Sequence, residues 1–563
     1  MKRSFSSVQT ARLTALTSSA LIAAAFAIWA CGNKEEESPF PSETTTSDAG
    51  SDSTSPGAFE TDGSVESNSG TFTDFPTPIV DMGAPANAAE IFGATPAGTA
   101  TAPCLSEPEI GALYPRNWLR PRFTFTAPGA TLFEIRLEIE NQTAPLIVYT
   151  TSTAWKMPAE TWNLLRTHSW NKKITVKVRG GTLNGTTLSN ATASAEGEIG
   201  IAPVEAPGAI VYWAISSGYD ASLKGFAVGE ETVHQALTPA NVKTRAVTCV
   251  GCHTAAPGGQ YALFATRNDT GGAGPMRWES GALDPKIDGG IGTPLPFIHA
   301  NAAAKFANEQ TGISTVSPAH WSAGDHVIVS TFAEKTFDAV NLDTGVSTTI
   351  ARTGDIDGNL AIAPSFAHDG SKIAYMSTKN DVIHMGNKWV GPSDLYTVPY
   401  NGGAGGAATP IAGASLPDKS EYYPSFSPDD AFVAFTRVDG NSVMYNSVDA
   451  EVFVVPSAGG TATRLKANDP PACSNKKSPG ITNSWPKWAP SAGQYGQTKY
   501  YFLVFSSTRS ASTRPQLYVT PIAVAADGSI TTYAALYLWN QLEAEGNHTP
   551  SWDYYTISNS LPN

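Results

Sequence analysis

PSFSPDDAFVAFTR, the segment from Pro424 to Arg437, recurs in varied form along the 563-residue chain. In most copies a short segment ending in an aromatic residue leads into a polar turn and then an apolar run. This pattern is typical of two antiparallel strands joined by a tight turn. The other copies are PSFAHDGSKIAYMS (Pro364 to Ser377), PKWAPSAGQYGQTKYYFLVFSS (Pro486 to Ser507), PSWDYYTI (Pro550 to Ile557) and AHWSAGDHVIVS (Ala319 to Ser330).

The spacing of the copies predicts a repeat architecture. Their anchor aromatics fall 45, 60, 62 and 64 residues apart. This period fits a unit of four strands with variable loops and is too long for helical solenoid repeats. Because one such unit cannot bury both faces of its sheet, neighbouring units must pack together. The anchors are Trp321, Phe366, Phe426, Trp488 and Trp552.

The repeats resemble the blades of TolB-type β-propellers, in which a Pro-x-Trp-Ser-Pro-Asp-Gly segment precedes an apolar strand, an outer strand and a Gly-Gly turn. The outer strand and turn match SDLYTVPYNGG (Ser393 to Gly403) and AEVFVVPSAGG (Ala450 to Gly460). The resemblance covers about Gly208 to the C-terminus. It implies a propeller at 207–563 and a role as a platform for protein interaction.

Three segments predict the number of blades and the closure of the ring. APGGQYALFAT (Ala256 to Thr266) matches the repeat and adds a sixth anchor. The copy at Trp552 has too little chain after it to complete a sheet. GAIVYWAISSG (Gly208 to Gly218) and LKGFAVGEE (Leu223 to Glu231) have the character of the missing outer strands. We therefore predict a six-bladed ring whose two ends join in one blade.

Upstream of the repeats, the segment 104–206 alternates between apolar and polar residues with a period of two. Examples are FTFTA (Phe123 to Ala127), LFEIRLEIE (Leu132 to Glu140) and KITVKVRG (Lys173 to Gly180), separated by Gly, Pro and Asn turns. About a hundred residues of such strands predict an immunoglobulin-like or fibronectin-like sandwich. The predicted fold class is therefore all-β, with this sandwich followed by a six-bladed TolB-like β-propeller.

The N-terminus has the features of an export signal over residues 1–30. Basic residues precede the apolar run Ala20 to Ala30, which is too short to span a bilayer comfortably. Ile28-Trp29-Ala30-Cys31-Gly32 resembles the bacterial lipoprotein box, which implies a lipid on Cys31. The alternative is an ordinary signal peptide with a chance cysteine. Gly32 stands where an aspartate would imply inner-membrane retention, so the resemblance favours the outer membrane, on its periplasmic face or at the cell surface.

The segment 31–103 is predicted to be a disordered acidic tether. From Lys34 to Glu90 it carries twelve acidic residues against one lysine and no sustained apolar period. That part has a net charge of −11 and the signal has +3, so only −6 of the chain's −14 is left for the rest. A nearly neutral body gives no argument for a nucleic-acid partner.

The stretch TCVGCHT contains Cys249, Cys252 and His253, and it matches the covalent attachment signature of c-type cytochromes. Two thiols can add to the haem vinyl groups, and the adjacent imidazole can bind the iron. The motif predicts one covalent haem c with His253 as an axial ligand. Two alternatives remain, a local Cys249–Cys252 disulfide and half of a metal site.

The second axial ligand is predicted from the repeat alignment. His253 aligns with Pro364 and Pro424, which places it at the mouth of the central channel. His548 lies on the neighbouring blade of the closed ring and is ranked first as the second iron ligand, ahead of Met276 and His320. His384 and Met385, in a longer loop, are further candidates.

The remaining cysteines form an even pair. With Cys31 assigned to lipid and two others to haem, Cys104 and Cys473 are left in an oxidising compartment, so a disulfide between sandwich and propeller is predicted. Two unpaired buried thiols are the alternative.

Three functions are compatible with these features. The main prediction is a lipid-anchored monohaem c-type cytochrome that transfers electrons at the cell envelope, with a redox or envelope protein as partner. The alternative is a TolB-like protein-interaction propeller in which haem is accessory or absent. An enzyme is the third, but the sequence contains no Gly-x-Ser-x-Gly elbow, His-Glu-x-x-His motif or phosphate-binding glycine loop to support hydrolysis.

Overall fold

The computed structural model describes residues 75–557 except 95–97, 99, 217–219, 269–276, 288, 310, 333–335, 357–358, 380–391, 441, 443, 445, 511 and 513. Its N-terminal part contains ten strands and two helices. They are β1 (Ile79–Val80), α1 (Ala88–Ala94), β2 (Cys104–Glu107), β3 (Leu113–Tyr114), β4 (Arg122–Thr126), β5 (Leu132–Ile139), β6 (Leu146–Thr150), β7 (Ala154–Lys156), α2 (Ala159–His168), β8 (Lys173–Asn184), β9 (Thr187–Ala193) and β10 (Gly197–Ile201).

Two sheets enclose the core of this N-terminal part. One has the strand order β1-β6-β5-β8-β10-β3, with β9 paired to β8, and the other has the order β2-β4-β7. Apolar residues alternate along β4 and β5, so each strand turns one face inward. Phe125 on β4 and Phe133 on β5 meet across the core with ring centroids 4.9 Å apart. The predicted β-sheet character of this part is confirmed in this coarse sense.

The prediction of a disordered tether over 31–103 is wrong at the C-terminal end of that segment. Ile79 pairs with Val148 in a parallel ladder, so β1 extends the larger sheet. The helix α1 buries Ile91 and Phe92 in an apolar cluster with Leu132 of β5. A two-residue strand and a seven-residue helix are too short to leave a periodic signal in a segment whose composition is otherwise acidic and polar.

The C-terminal part contains the strands of the repeats. Its elements are β11 (Ala209–Ile215), β12 (Ala221–Ala227), β13 (His234–Leu237), β14 (Cys249–Ala255), β15 (Tyr261–Arg267), β16 (Arg277–Ala282), α3 (Ala300–Asn308), β17 (Thr311–Val316), α4 (Pro318–Ser322), β18 (Val327–Phe332), β19 (Phe337–Asn341), β20 (Ser347–Thr349), β21 (Ala351–Thr353), β22 (Leu360–Phe366), β23 (Lys372–Thr378), β24 (Ser393–Pro399), β25 (Gly405–Ala407), β26 (Thr409–Pro410), β27 (Lys419–Phe426), β28 (Phe432–Asp439), β29 (Glu451–Pro456), β30 (Thr463–Arg464), β31 (Ser484–Trp488), β32 (Gly493–Tyr495), β33 (Thr498–Ser507), β34 (Gln516–Val524), β35 (Ile530–Thr532), β36 (Leu536–Tyr537) and β37 (Gly546–Asp553).

These strands form successive antiparallel groups arranged around a centre, as in a propeller. The groups are β14-β15-β16, β17-β18-β19-β20, β22-β23-β24, β27-β28-β29-β30 and β31-β33-β34-β35, and a single parallel pair between β24 and β27 joins the third group to the fourth. The first strand of each group is innermost. These strands contact one another in the order β14, β17, β22, β27, β31, β37 and back to β14.

The two ends of the ring meet in one sheet. The strand order of this sheet is β13-β12-β11-β37, and Ile210 of β11 lies opposite Trp552 of β37. This confirms that the segments beginning at Gly208 and Leu223 supply outer strands to the last repeat. A sheet built from both ends leaves short strand edges, which lowers the risk of edge-to-edge association.

Hydroxyl side chains link two of the innermost strands, β17 and β22, to the next one along the ring. Thr315 Oγ1 accepts a hydrogen bond from the Phe366 backbone N–H at 3.0 Å, and Ser365 Oγ accepts one from the Phe426 N–H at 3.1 Å. This pairing corrects the repeat alignment at Trp321, because Thr315 on β17 is the equivalent of Ser365. Trp321 instead lies in the short helix α4 that follows the strand.

Candidate functional site

The haem attachment motif lies on β14, an innermost strand whose middle is irregular. Cys249 packs in an apolar cluster with Phe264, whereas Cys252 packs in a different cluster with Leu263. Phe264 and Leu263 are successive residues of β15, so they face opposite sides of the sheet. The two thiols of the motif therefore point away from each other, into separate cores.

The two cysteines of the motif are not joined to each other. Cys252 keeps its thiol. Burial raises the pKa of the Cys252 thiol to about 12, so it stays protonated at neutral pH. The sequence alternative of a local Cys249–Cys252 disulfide does not describe this arrangement.

His253 is buried and its ring is already engaged. Nε2 donates a hydrogen bond to the Val211 carbonyl at 3.0 Å. That carbonyl lies beside an irregularity between Val211 and Trp213 in the β11–β37 ladder, where a backbone acceptor is freed from regular pairing. Burial lowers the pKa of His253 to about 4, so the imidazole is neutral at physiological pH.

The residues as placed do not fit a covalent haem. The sulfur atoms lie on opposite faces of the sheet, so they cannot both reach the vinyl groups of one macrocycle. The cavity beside Cys252 and His253 has a volume of about 30 Å³. That is space for about two water molecules. Within the described residues there is also no group of three His, Cys, Asp or Glu side chains placed to hold a metal ion.

The structure places His548 and His320, two of the predicted second iron ligands, in contact with other side chains and backbone groups. His548, on β37, is buried in an edge-on contact with Trp213, with ring centroids 4.6 Å apart. His320 lies in α4, where Nδ1 is 2.8 Å from an Asp325 carboxylate oxygen and Nε2 is 3.1 Å from the Gly370 carbonyl oxygen. Met276, His384 and Met385 lie outside the described residues, as does Cys31.

Buried neutral histidines predict acid sensitivity. Burial lowers the pKa of His548 to about 3, so the unfolded chain binds a proton in a pH range where the folded chain does not. We expect this histidine to lower the free energy of unfolding as the pH falls from about 6.5 towards 3. His548→Phe keeps an aromatic contact with Trp213 but cannot titrate.

Denaturant unfolding from pH 8 to pH 4 compares the two proteins. The difference between them at pH 8 is the baseline, and the wild type should lose more stability than His548→Phe as the pH falls. Parallel pH profiles would contradict the assignment of a buried neutral imidazole at this position.

A recurrent backbone feature surrounds the centre of the ring. The residue before each proline of the repeat has a positive φ in four innermost strands: Ala363 (50°), Tyr423 (53°), Trp485 (61°) and Thr549 (46°). Left-handed conformations of non-glycine residues cost about 1–3 kcal/mol each and persist only where the surroundings fix them. His253 takes the position of the proline in β14. The break in strand pairing lies between Val250 and His253 in this strand, one residue earlier than the equivalent break in β22 and β27.

These positions converge on one central cavity, to which all six innermost strands contribute. Lys487 on β31 is the one lysine on its wall. Loss of water around the ammonium group lowers its pKa to about 8, so it remains mostly charged at neutral pH. The cavity is lined by Cys252, His253, Thr254, Ile313, Ser314, Ala363, Pro364, Tyr423, Pro424, Trp485, Pro486, Lys487, Thr549 and Pro550.

A second polar region lies where the N-terminal sheets meet the ring. Cys104 and Cys473 form a disulfide here, with Cα atoms 5.6 Å apart. This is the pair that cysteine counting left over. The bond connects β2 to a loop of the ring across 369 residues of sequence.

Beside the disulfide, Arg509 of the ring forms a buried ion pair with Glu109 of the N-terminal part. Arg509 Nη1 lies 3.0 Å from Glu109 Oε1. Nη2 donates to Asn483 Oδ1 at 2.8 Å, and Nε donates to Ser507 Oγ at 3.1 Å. The guanidinium also lies over the Tyr518 ring, 4.7 Å from its centroid. A buried charge with this many partners fixes the relative position of the two parts.

The disulfide and the ion pair border a cavity of about 530 Å³ between the two parts. Its walls carry both signs of charge. Arg122 donates to Glu107 Oε2 at 2.7 Å, and the Tyr537 hydroxyl donates to Glu543 Oε1 at 3.0 Å. Burial raises the pKa of Glu107 to about 7 in spite of the neighbouring guanidinium. Lys476 lines the same cavity from the ring side.

Sequence reasoning missed Lys487, although the repeats contain a signal for it. Its position, directly after the proline of the repeat, holds Ser365, Ser425 and Ser551 in three other copies. A lysine in a position otherwise held by serine marks a departure from the structural pattern. Glu109 carried no such signal, because its partner Arg509 lies 400 residues away in the sequence.

Comparison with known proteins identifies no family. No family model matches the chain, and no curated protein matches it. Among solved structures, the chain is similar to a putative TolB from Agrobacterium tumefaciens, at 13% identity over 58% of this chain and 89% of the other, with a TM-score of 0.31. It is also similar to the lectin BP39L from Burkholderia pseudomallei, at 11% identity, covering 59% and 96%, with a TM-score of 0.29.

A Bacteroides thetaiotaomicron protein of unknown function aligns over 78% of this chain and all of its own, at 9% identity and a TM-score of 0.29. Similarities at this level do not assign an activity. In the described part of the chain, no helix is both long and apolar enough to cross a bilayer.

Proposed function

We propose that this protein is a binding scaffold of the bacterial envelope, with an immunoglobulin- or fibronectin-like sandwich followed by a six-bladed TolB-like propeller and a lipid on Cys31. The closed contact order of six innermost strands supports the blade number. Two sheets packed over a shared apolar core support the sandwich. The lipid and the outer-membrane location rest on the lipoprotein-box resemblance of the sequence.

The observation that carries the binding function is the cavity between the two parts. Its volume of about 530 Å³ lies within the range of about 300–1,000 Å³ that is usual for small-molecule sites. Such sites occur preferentially between domains. Arg122 and Lys476 can pair with an anionic group, and Glu107 and Glu543 with a cationic or hydroxyl group. We infer a small polar ligand that carries groups of both kinds.

Native mass spectrometry of the full chain, purified from its own envelope without denaturant, tests this function. We expect a bound species that is lost on denaturation. Thr126→Trp places an indole at the exposed edge of the cavity and should abolish the added mass. Thr187→Trp changes an exposed strand threonine remote from the cavity lining, so it should retain the ligand. A chain without added mass, or equal binding by both variants, would contradict the proposal.

The intact mass of the same denatured material tests the alternative function as a cytochrome. The placement of Cys249 and Cys252 predicts a chain without covalent haem and without a haem absorption band. One haem's added mass would instead mean that β14 has a different conformation in the cell, and it would favour the cytochrome. The same spectrum shows whether the chain begins at a lipid-modified Cys31.

A further inference from the structure

Three buried polar atoms around the central cavity have no hydrogen-bond partner within the described parts of the chain. They are His253 Nδ1, Ser314 Oγ and Thr549 Oγ1. Their residues are 7%, 2% and 5% exposed. Burying a polar atom without a partner is unfavourable, so a cluster of such atoms around one cavity indicates a bound water or ion.

The cavity also contains a positive charge without a counter-charge. Lys487 lines it, and neither aspartate nor glutamate is present among the lining residues. Burial alone accounts for the lowered pKa of Lys487, with no neighbouring carboxylate acting against it among the described residues. An ammonium group removed from bulk water is stabilised by a nearby anion, and here the protein supplies none.

The hydrogen-bonding capacity of the group favours an anion over a cation. The Lys487 ammonium can only donate, and the hydroxyls of Ser314 and Thr549 can each donate one hydrogen bond as well as accept. His253 Nδ1 is an acceptor, because the proton of the neutral ring is used by Nε2 in its bond to Val211. The positive charge of the ammonium group opposes a cation, and three donors can serve an anion, while His253 Nδ1 can accept a hydrogen bond from the ammonium group or from a water molecule.

We propose that the centre of the ring binds one small inorganic anion of halide size, between the Lys487 ammonium and the hydroxyls of Ser314 and Thr549. The cavity of about 30 Å³ has no room for an organic acid. The anion joins β31 to β17 and β37 across the centre, so it stabilises the closed ring. This inference is independent of the cavity between the two parts, which shares no lining residue with the ring centre.

Thermal unfolding of the full chain in sodium chloride and in sodium gluconate, at equal ionic strength, tests the proposal. Gluconate is too large for the cavity. A ligand that binds only the folded state raises the midpoint, so chloride near a hundred times its dissociation constant should add about 2–5 °C. Lys487→Met keeps an unbranched side chain without the charge, and it should lose this difference. Lys499→Met, at a half-exposed lysine of β33 in the same sheet, should retain it.

Crystals of the wild-type protein grown in bromide give a second readout that does not depend on the variant folding. We expect an anomalous scattering peak in the central cavity beside Lys487. Density without an anomalous signal at high bromide would mean that the cavity contains water only and would overturn the proposal. Equal midpoints of the wild type in chloride and gluconate would also overturn it.

Discussion

Replacing Arg509 with methionine is expected to lower the free energy of unfolding by about 3–5 kcal/mol, because removal of one partner leaves a buried charge uncompensated. The Arg509 and Glu109 side chains are 3% and 7% exposed, so little water is available to solvate the remaining carboxylate. The variant also leaves the amide oxygen of Asn483 without its donor. Urea unfolding followed by circular dichroism measures the loss.

A second replacement separates the lost ion pair from lost packing. If the cost arises from an isolated carboxylate, Arg509→Met combined with Glu109→Met should recover much of the stability, since buried pairs are often replaced by apolar residues at little cost. Lys173→Met removes a surface ion pair, with side chains 69% and 58% exposed, and should change stability by less than about 1 kcal/mol. A loss in Arg509→Met no larger than that of Lys173→Met would contradict the role assigned to the buried pair.

Removing the disulfide between Cys104 and Cys473 is the second large effect. Cys473→Ser is expected to cost about 2–5 kcal/mol, because the bond restricts the unfolded chain over a sequence separation of 369 residues. The loss should appear as a lower midpoint of thermal unfolding. It should also separate the unfolding of the N-terminal sheets from that of the ring, since the bond joins the two.

Variants are used here rather than a reductant, because a variant removes this bond alone. Cys104→Ser should have the same effect as Cys473→Ser, and the double variant should be no less stable than either single one. Additive losses in the double variant would show that each cysteine contributes through its own packing and not through the bond.

The repeat pattern was sufficient to predict the strands and the closure of the ring. The apolar runs in the repeats around Phe366 and Phe426 become β23 and β28, most of whose residues are buried. Period-two alternation and turn residues are local properties, and the chain must satisfy them wherever it folds. Closure followed from the same rules, because Trp552 had too little chain after it to complete a sheet.

The candidate site was less predictable, because it depends on contacts between remote segments. The motif at Cys249 has the residues of a haem attachment site, but the chain places the two thiols in separate apolar clusters. Trp321 had the expected residue type but lies one element after the strand it was assigned to. The hydrogen bond from the Phe366 N–H to the Thr315 hydroxyl shows that Thr315 is the residue equivalent to Ser365, which corrects the repeat alignment.

The buried pair of Arg509 also has a counterpart within the repeats that no local pattern revealed. In the preceding repeat, Arg437 pairs with Glu421 of its own innermost strand at 2.8 Å. Sixty-two residues further on, the position of Glu421 is occupied by Asn483. The carboxylate near this position comes instead from Glu109, in the N-terminal part. The ring thus lacks an acid at the place where the preceding domain supplies one.

The sheet shared by β11 and β37 has a consequence for biosynthesis. The segment at Ala209 emerges early from the ribosome, yet its partner beginning at Gly546 is made more than three hundred residues later. Until then the growing polypeptide carries an unsatisfied strand edge, which is a template for association with other chains. A chain of this design must therefore be kept from aggregating through nearly all of its synthesis, and a premature stop codon before Gly546 would leave the ring permanently open.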